Sequence, residues 1–265
     1  MRASNGAVSV QGRRVNYVRF GTGRETMVIL PGLGDGLKTV KGMALPMALS
    51  YRALRKDFTV FVFSRGEPLP ERFSTREMAG ELARAMDALG IGPACTVGVS
   101  QGGMIAQYLA ADHPEKVKKL VLAVTTGRAN DTVRQTVGRW IRLAEQGDYR
   151  LLMSDTAERS YSPARLRWMR PALALLGRVG APRSFDRFRT QAEACLTHDA
   201  LAEAERIVCP TLVIGGEADR VVTPEASREL AGRIPGAEIV MVPGLGHALY
   251  EEAPDFWTWV ADFCR

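Results

Sequence analysis

Short apolar runs rich in β-branched residues alternate with segments of helical spacing along most of this 265-residue chain. The apolar runs occupy residues 14–20, 26–30, 58–63, 95–99, 117–124, 210–216 and 237–243. Segments with apolar residues at helical spacing occupy residues 75–89, 101–111, 224–234 and 251–263. Such alternation predicts an α/β fold, in which helices cover both faces of a mostly parallel central sheet.

The alternation stops between about residues 128 and 205, where helical patterns occur without a convincing strand. Three prolines, at 163, 171 and 182, divide this segment into short pieces. A helical insertion over the carboxyl edge of the sheet is the simplest account, and the pocket should lie beneath it. The predicted core comprises residues 1–127 and 201–265, and the predicted helical cap comprises residues 128–200.

Composition places the chain among ordinary globular proteins, with 46% hydrophobic and 24% charged residues. No stretch approaches the roughly 18 uncharged apolar residues that a membrane span needs. The first twenty residues also lack the apolar region of a secretory signal peptide. We therefore expect a cytoplasmic protein without a membrane partner.

The cysteine and histidine counts argue against a structural metal site. Cys95, Cys195, Cys209 and Cys264 are widely spaced and form no C-x-x-C pair, and the chain contains only three histidines. We interpret all four cysteines as reduced, structural residues. Neither a metal nor an organic cofactor is expected.

The net charge of +6 is concentrated in residues 128–200, which contain thirteen arginines, no lysine and eight acidic residues. A solvated basic surface is the ordinary interpretation of such an excess. Nucleic acid is not an expected partner, because no recognised nucleic-acid module is present. A second interpretation is that an arginine faces the pocket and favours a substrate carrying a carboxylate, which a guanidinium binds through two parallel hydrogen bonds. Both interpretations remain open at this stage.

A single serine stands between glycines at the end of one predicted strand, in the stretch CTVGVSQGG of residues 95–103. Residues 98–102 fit the pattern G-x-S-x-G, with a strand before it and a helix after it, as the pattern requires. A sharp strand-to-helix turn strains the serine backbone, and the glycines leave room for it. Such a turn raises the Ser100 hydroxyl above the sheet, and it directs the Gln101 N–H towards a developing oxyanion.

A serine hydroxyl is a weak nucleophile at neutral pH, so Ser100 requires a base. His113 precedes a proline and is interpreted as the end of a helix. His198, in the insertion, is interpreted as a surface or capping residue. His247 lies in a glycine-rich loop after the last predicted strand, where an α/β sheet places its functional groups, and we assign it as the base.

The orienting acid should follow the preceding strand. Asp219 lies in that loop, and Glu217 is a competitor two residues away. The order Ser100, Asp219, His247 is the one in which α/β sheets carry such a triad.

Six segments together resemble the α/β-hydrolase superfamily, in its cap-bearing, lactonase- or esterase-like branch, over nearly the whole chain. They are ILPGLGDG (29–36), SRG (64–66), GVSQGG (98–103), HPEKVKKLVL (113–122), CPTLVIGGEAD (209–219) and VPGLGHALYEEAPDFW (242–257). These motifs are specific for the fold and the superfamily, and they do not identify a substrate.

The resemblance implies that Ser100 is the nucleophile, His247 the base and Asp219 the acid that orients it. It also implies an oxyanion hole formed by the backbone N–H groups of Leu33 and Gln101. Because position 100 is serine, the aspartate-based chemistry of the haloalkane dehalogenases and epoxide hydrolases of this fold is not expected.

The chain departs from the family pattern at two places. The usual His-Gly before the oxyanion donor is Pro31-Gly32, which predicts modest differences in that loop. The usual Asp-x-Arg-Gly after the fourth strand reads Phe63-Ser64-Arg65-Gly66, so that this loop loses an acidic partner for Arg65.

The predicted function is hydrolysis of an ester or small lactone through an acyl-enzyme. A C–C bond hydrolase, an aminopeptidase, a cofactor-free perhydrolase or an acyltransferase would use the same triad. A ligand receptor on the same fold is an alternative outside enzymology, although a binding role does not require Asp219. The expected partner is a small-molecule substrate, and the chain is expected to be a monomer or a small homo-oligomer.

Overall fold

The computed structural model describes residues 3–170 and 180–265, which contain one eight-stranded sheet. Its strands are β1 (Ala3–Val10), β2 (Arg13–Phe20), β3 (Glu25–Leu30), β4 (Phe58–Phe63), β5 (Ala94–Val99), β6 (Val117–Ala123), β7 (Thr211–Gly216) and β8 (Glu238–Val242). They follow the spatial order β1-β2-β4-β3-β5-β6-β7-β8. The pairs β1–β2 and β2–β4 are antiparallel and all other pairs are parallel, so the predicted mostly parallel sheet is confirmed.

The described helices are α1 (Ala44–Ser50), α2 (Thr75–Ala88), α3 (Gln101–Asp112), α4 (Asp131–Glu145), α5 (Tyr149–Ser160), α6 (163–170), α7 (Asp186–Leu196), α8 (Leu201–Ala204), α9 (Pro224–Arg233), α10 (Leu249–Glu252) and α11 (Phe256–Cys264). The predictions of α2, α3 and α9 are confirmed. The helix predicted over 251–263 is instead two helices. Ala253 between them is extended, with φ −74° and ψ 115°, because the following Pro254 disfavours helical backbone there.

All seven predicted strands are present, and β1 was not predicted. Its sequence ASNGAVSV has little apolar character, and only Val10 of its eight residues is buried. It lies at the sheet edge, paired only with β2 among the described strands. Gly6 lies beneath the Tyr17 ring, where a Cβ atom would come within 2.3 Å of the ring. Tertiary pairing therefore places a weakly apolar segment in the sheet.

Two apolar layers enclose the sheet, one on each face. On one face, α2 and α3 contribute buried side chains that include Met78, Met86 and Leu109. On the other face, α11 contributes Phe256 and Val260. Strands β5 and β7 are buried along their whole length, as expected for central strands of a parallel sheet.

Between β6 and β7, the described residues form helices α4 to α8. A third apolar cluster joins α4 and α7, through Trp140 and Phe188, to Leu33 after β3 and Val222 after β7. These helices therefore contact loops at the carboxyl edge of the sheet. Residues 171–179, with Pro171, lie outside the described residues, and the division into core and cap stays a prediction.

All four cysteines carry free thiols, and three of them are buried. The exception is Cys209, which is half-buried. None of the helices in the two described ranges combines the length and apolar character needed to cross a membrane.

Candidate active site

Ser100 occupies a strained turn between β5 and α3. Its backbone has φ 53° and ψ −119°, a conformation that a residue with a side chain rarely adopts. A Cβ atom at Gly98 would lie 2.5 Å from the Gly103 Cα, and one at Gly102 would lie 2.0 Å from the Leu30 carbonyl oxygen. Both glycines are therefore required for the turn to pack, which confirms the steric role predicted for them.

A chain of hydrogen bonds joins the three residues that the sequence analysis singled out. His247 follows β8, and its Nε2 lies 2.9 Å from the Ser100 Oγ. Its Nδ1 lies 2.8 Å from the Oδ2 of Asp219, which follows β7. An ionised carboxylate only accepts hydrogen bonds, so Nδ1 carries the proton and Nε2 is left to accept one from Ser100.

The environment of Asp219 holds its carboxyl group in the ionised form. Its Oδ1 accepts hydrogen bonds from the backbone N–H groups of Val221 at 2.8 Å and Val222 at 3.0 Å. Burial by itself would raise the pKa of Asp219. The adjacent His247 and the two N–H groups outweigh burial, so that this pKa lies below its ordinary value.

Glu217 does not reach His247 in the structure. Its side chain is exposed, and its carboxylate binds Arg228 at 2.6 Å on the surface. Of the two acids that the sequence left in competition, Asp219 is therefore the one beside the imidazole.

The two predicted oxyanion donors each occupy the first position of a helical turn. Leu33 begins a short 3-10 turn, Leu33–Gly36, and Gln101 begins α3. A backbone N–H at such a position has no acceptor within its own helix. At Gly32, a Cβ atom would lie 3.2 Å from the Ser100 Cβ, so the loop carrying Leu33 passes directly beside the serine.

Asp35 is an acidic partner of Arg65, which the sequence was expected to lack. Phe63 stands at the usual aspartate's position, and the next residue, Ser64, accepts a hydrogen bond from the Val40 N–H at 2.9 Å. Asp35 Oδ2 accepts the Arg65 backbone N–H at 3.3 Å and lies 3.9 Å from its Nη1. The expectation that Arg65 lacks an acid is therefore wrong, because Asp35 supplies one from the proposed oxyanion turn, Leu33–Gly36. Asp35 was not recognised from the sequence, since its partners lie 30 or more residues away.

Ser100 and His247 open onto a cavity of about 420 Å³, large enough for a small organic molecule. Helices α1, α4, α5, α6 and α10 contribute to its wall, together with the loops after β3 and β8 and the end of β5. Most of the wall is apolar or aromatic, and includes Val40, Met47, Tyr51, Trp140, Met153, Ala157, Met169 and Tyr250. Its charged lining residues are Asp35, Lys38 and Glu251, of which the last two are exposed.

Among the described arginines of residues 128–200, none lines this cavity. Arg139 and Arg159 instead bind Asp155, each at 2.8 Å. Asp155 also accepts the indole N–H of Trp140 at 2.9 Å and so orients a ring of the cavity wall. For the described residues, the interpretation of a pocket-facing arginine is wrong. Arg178 lies outside them.

His198 is buried rather than exposed, so its interpretation as a surface residue was wrong. Its Nδ1 lies 2.9 Å from the Thr75 Oγ1, and its ring meets the edge of Tyr108 at a centroid distance of 5.5 Å. Burial lowers the pKa of His198 to about 4, against smaller opposing contributions from Thr126 and Asp199. His113, in contrast, ends α3 as predicted, with its backbone N–H bonded to the Leu109 carbonyl at 2.9 Å.

We expect His198 to make stability depend on pH. The unfolded chain binds a proton at this side chain below its ordinary pKa of 6.5, whereas the folded chain does so only near pH 4. The free energy of unfolding should therefore fall as pH drops from 6.5 towards 4, by up to about 3 kcal/mol from this residue. Urea unfolding between pH 7 and 4.5 should show a weaker pH dependence for His198→Gln than for the wild type.

The variant His113→Gln provides the matched control, because it removes a half-buried histidine outside the candidate site in place of the buried one. Parallel stability profiles for the wild type and His198→Gln would contradict a buried, neutral His198.

Across residues 3–170 and 180–265, no three His, Cys, Asp or Glu side chains are grouped so that they could hold a metal ion.

Comparison with known proteins agrees with the fold. Residues 25–254 match the α/β-hydrolase fold family, so the chain belongs to that family, and it is a hydrolase. A curated relative, named "Putative carbamate hydrolase RutD", comes from Caulobacter sp. (strain K31). It is 28% identical over 249 residues, which cover 88% of this chain and 87% of the relative.

Two solved structures superimpose on nearly the whole chain. One is MGS-M2, an α/β-hydrolase enzyme from a Medee basin deep-sea metagenome library, with a TM-score of 0.86 and 25% identity. The alignment covers 97% of this chain and 96% of MGS-M2. The other is the enol-lactonase from Burkholderia xenovorans LB400, with a TM-score of 0.83, 25% identity, and coverage of 97% and 99%.

Proposed function

We propose that the protein is a serine hydrolase that cleaves uncharged esters or small lactones through an acyl-enzyme on Ser100. The observation that carries this proposal is the hydrogen-bonded chain from Ser100 through His247 to Asp219, at the wall of a largely apolar cavity. That chain supplies a nucleophile, a base in reach of its proton, and an acid that orients the base.

In the first half-reaction, His247 Nε2 removes the Ser100 proton as Oγ bonds to the substrate carbonyl carbon. The carbonyl oxygen becomes an oxyanion, which the N–H groups of Leu33 and Gln101 stabilise. His247 then returns its proton to the leaving oxygen as the C–O bond breaks. In a lactone the leaving alcohol stays attached to the acyl chain.

In the second half-reaction, a water molecule takes the place of the alcohol. His247 removes one proton from the water as its oxygen attacks the acyl carbon, and the same oxyanion forms again. The Ser100 ester then breaks, and the proton returns to Oγ. Throughout, the Asp219 carboxylate stabilises the transient imidazolium of His247.

The cavity supports an uncharged substrate with apolar groups. Trp140, Met153 and Met169 present surface that favours burial of an alkyl or ring portion. Of the charged lining residues, Lys38 and Glu251 carry opposite charges and are exposed, and the buried Asp35 is paired with Arg187. Neither sign of charge therefore dominates the wall that encloses a bound acyl group.

Carbamate hydrolysis is a second candidate that the relationship to the RutD relative favours. A carbamate carbonyl reacts with a serine nucleophile in the same two steps, although its nitrogen makes it less electrophilic. The C–C bond hydrolase, perhydrolase, acyltransferase and receptor alternatives would use or retain the same residues. Turnover on matched substrates separates them from simple hydrolysis.

The experiment that tests this proposal combines active-site labelling with a substrate panel. A fluorophosphonate should label the wild-type protein at Ser100 with a stoichiometry of about one. Esters, γ-lactones and carbamates of matched acyl length should then rank by turnover, with esters or lactones first. Labelling without turnover on any member of the panel would favour the receptor alternative.

We also expect the cavity to discriminate against carboxylate-bearing substrates. Moving an unpaired carboxylate from water to an apolar wall costs at least a few kcal/mol. The value of kcat/KM for a neutral ester should therefore exceed that for its carboxylate-bearing analogue about tenfold or more. The two substrates should be compared at low and at moderate ionic strength. A preference for the anionic analogue that shrinks with added salt would contradict this expectation.

A further inference from the structure

A buried polar network connects the proposed oxyanion hole to helix α7 of the insertion. Its first member is Asp35, which lies in the turn that begins at Leu33 and is only 3% exposed. Asp35 Oδ2 accepts hydrogen bonds from two residues of α7, the Arg187 Nη2 at 2.5 Å and the Gln191 Nε2 at 3.2 Å. The oxyanion turn is thus bonded directly to a helix some 150 residues later in the chain.

Arg187 links two loops at once. Its Nε donates to the Asp35 carbonyl oxygen at 3.1 Å, in addition to the bond to the carboxylate. It also donates to the carbonyl oxygens of Arg65 at 3.0 Å and Gly66 at 3.2 Å, in the loop after β4. Because the guanidinium is planar and rigid, these four bonds fix the two loops relative to each other.

The other predicted oxyanion donor is tied to the same network. Arg65 Nη2 donates to the Pro31 carbonyl at 2.7 Å and to the Gln101 Oε1 at 3.0 Å. The Gln101 Nε2 in turn donates to the Gln191 carbonyl of α7 at 2.6 Å. One arginine therefore bridges the segment before Leu33 and the side chain of Gln101.

The contact between α7 and the oxyanion turn is also tightly packed. A Cβ atom at Gly36 would lie 2.7 Å from the Phe188 Cα, so there is no space for a side chain at position 36. Since polar bonds and packing act at the same place, a shift of α7 would shift the turn with it.

We propose that Arg187, through Asp35 and Arg65, is a positioning residue that sets the placement of the Leu33 and Gln101 N–H groups. This inference rests on the proposed hydrolase function, because the two N–H groups matter only if an oxyanion forms at Ser100. An oxyanion hole acts on the transition state, so its misplacement lowers kcat and leaves substrate binding nearly unchanged.

The test compares Arg187→Gln with Arg189→Gln in the full-length protein, with p-nitrophenyl butyrate as substrate. Arg189 lies on the same helix and pairs with Glu145 and Asp186, outside the network. Losing one oxyanion donor outright costs about 10²–10³ in kcat. A small displacement keeps both donors in reach of the oxyanion and should cost less, about 10- to 100-fold. We expect Arg187→Gln to lower kcat by that factor with KM within about twofold, and Arg189→Gln to match the wild type.

A second readout separates positioning from general weakening of the structure. Phenylboronic acid forms a tetrahedral adduct with an active serine, and its Kd should rise for Arg187→Gln by a factor similar to the loss in kcat. Equal kcat in the two variants would overturn the proposal. So would a change confined to KM, or a lower kcat with unchanged boronate affinity.

Arg187→Gln leaves the Asp35 carboxylate buried without its main partner, and this variant alone could fail to fold. The double variant Asp35→Asn/Arg187→Gln removes both charges, and Arg65 keeps its bonds to the Pro31 carbonyl and the Gln101 side chain. We expect it to show the same loss of kcat, and wild-type kcat in the double variant would overturn the proposal.

Fluorophosphonate labelling distinguishes failure of the proposed hydrolase function from failure of the positioning role. Absence of label on wild-type Ser100 counts against the hydrolase function, whereas a labelled Ser100 with unaffected variants counts only against the positioning role.

Discussion

Ser100→Ala should lower kcat for ester hydrolysis by on the order of 10⁴–10⁶, with the protein still folded. The physical reason is that alanine has no hydroxyl to attack the carbonyl, and the oxyanion donors alone supply only a small residual rate. The hydroxyl that is lost lies 2.9 Å from His247 Nε2. Steady-state hydrolysis of an activated ester measures the effect, and circular dichroism checks the fold.

A buried serine elsewhere in the chain provides the control. Ser227 lies in α9, outside the cavity, and Ser227→Ala should retain near wild-type activity. A folded Ser100→Ala protein with a tenth of the wild-type rate would remove Ser100 from the role of nucleophile.

Asp219→Asn should lower kcat by about 10⁴, while Glu217→Gln should change it little. An asparagine amide can donate to His247 Nδ1 and so favour the tautomer whose Nε2 carries the proton. That tautomer cannot accept the Ser100 proton. The carboxylate also stabilises the imidazolium, and a neutral amide does not. Kinetics on the same activated ester measure both variants.

Glu217 offers a close control, because it lies two residues away and its carboxylate binds Arg228 at the surface. The reverse ranking of the two variants would transfer the orienting role to Glu217. Comparable small losses in both would leave His247 without an essential acid.

The central strands and the arrangement of Ser100, Asp219 and His247 could be predicted because the sequence patterns that indicate them are local. The elbow needs glycine at positions 98 and 102 for steric reasons, and those glycines are visible in the sequence. Asp219 and His247 follow neighbouring parallel strands, and the carboxyl ends of such strands meet at one edge of the sheet. Local sequence patterns and the order of the strands are together enough to predict that Ser100, Asp219 and His247 meet at this edge.

Other features depend on contacts that no local pattern records. The bond between Asp35 and Arg187 joins residues 152 positions apart, and nothing near either one specifies the other. Burial of His198 depends on Thr75 in α2, 123 positions earlier. Strand β1 exists through its pairing with β2 rather than through its own β propensity. These are tertiary effects, and they include the network that we propose to position the oxyanion hole.

The proposed hydrolysis depends on a covalent ester on Ser100. Its most direct test is to mix the protein with excess p-nitrophenyl butyrate, quench with acid during turnover, and measure the intact and peptide masses. We expect a butyryl adduct on the peptide containing Ser100, absent from Ser100→Ala and increased when deacylation is slowed. Rapid turnover with no adduct on Ser100 at any quench time, or an adduct on a different residue, would contradict it.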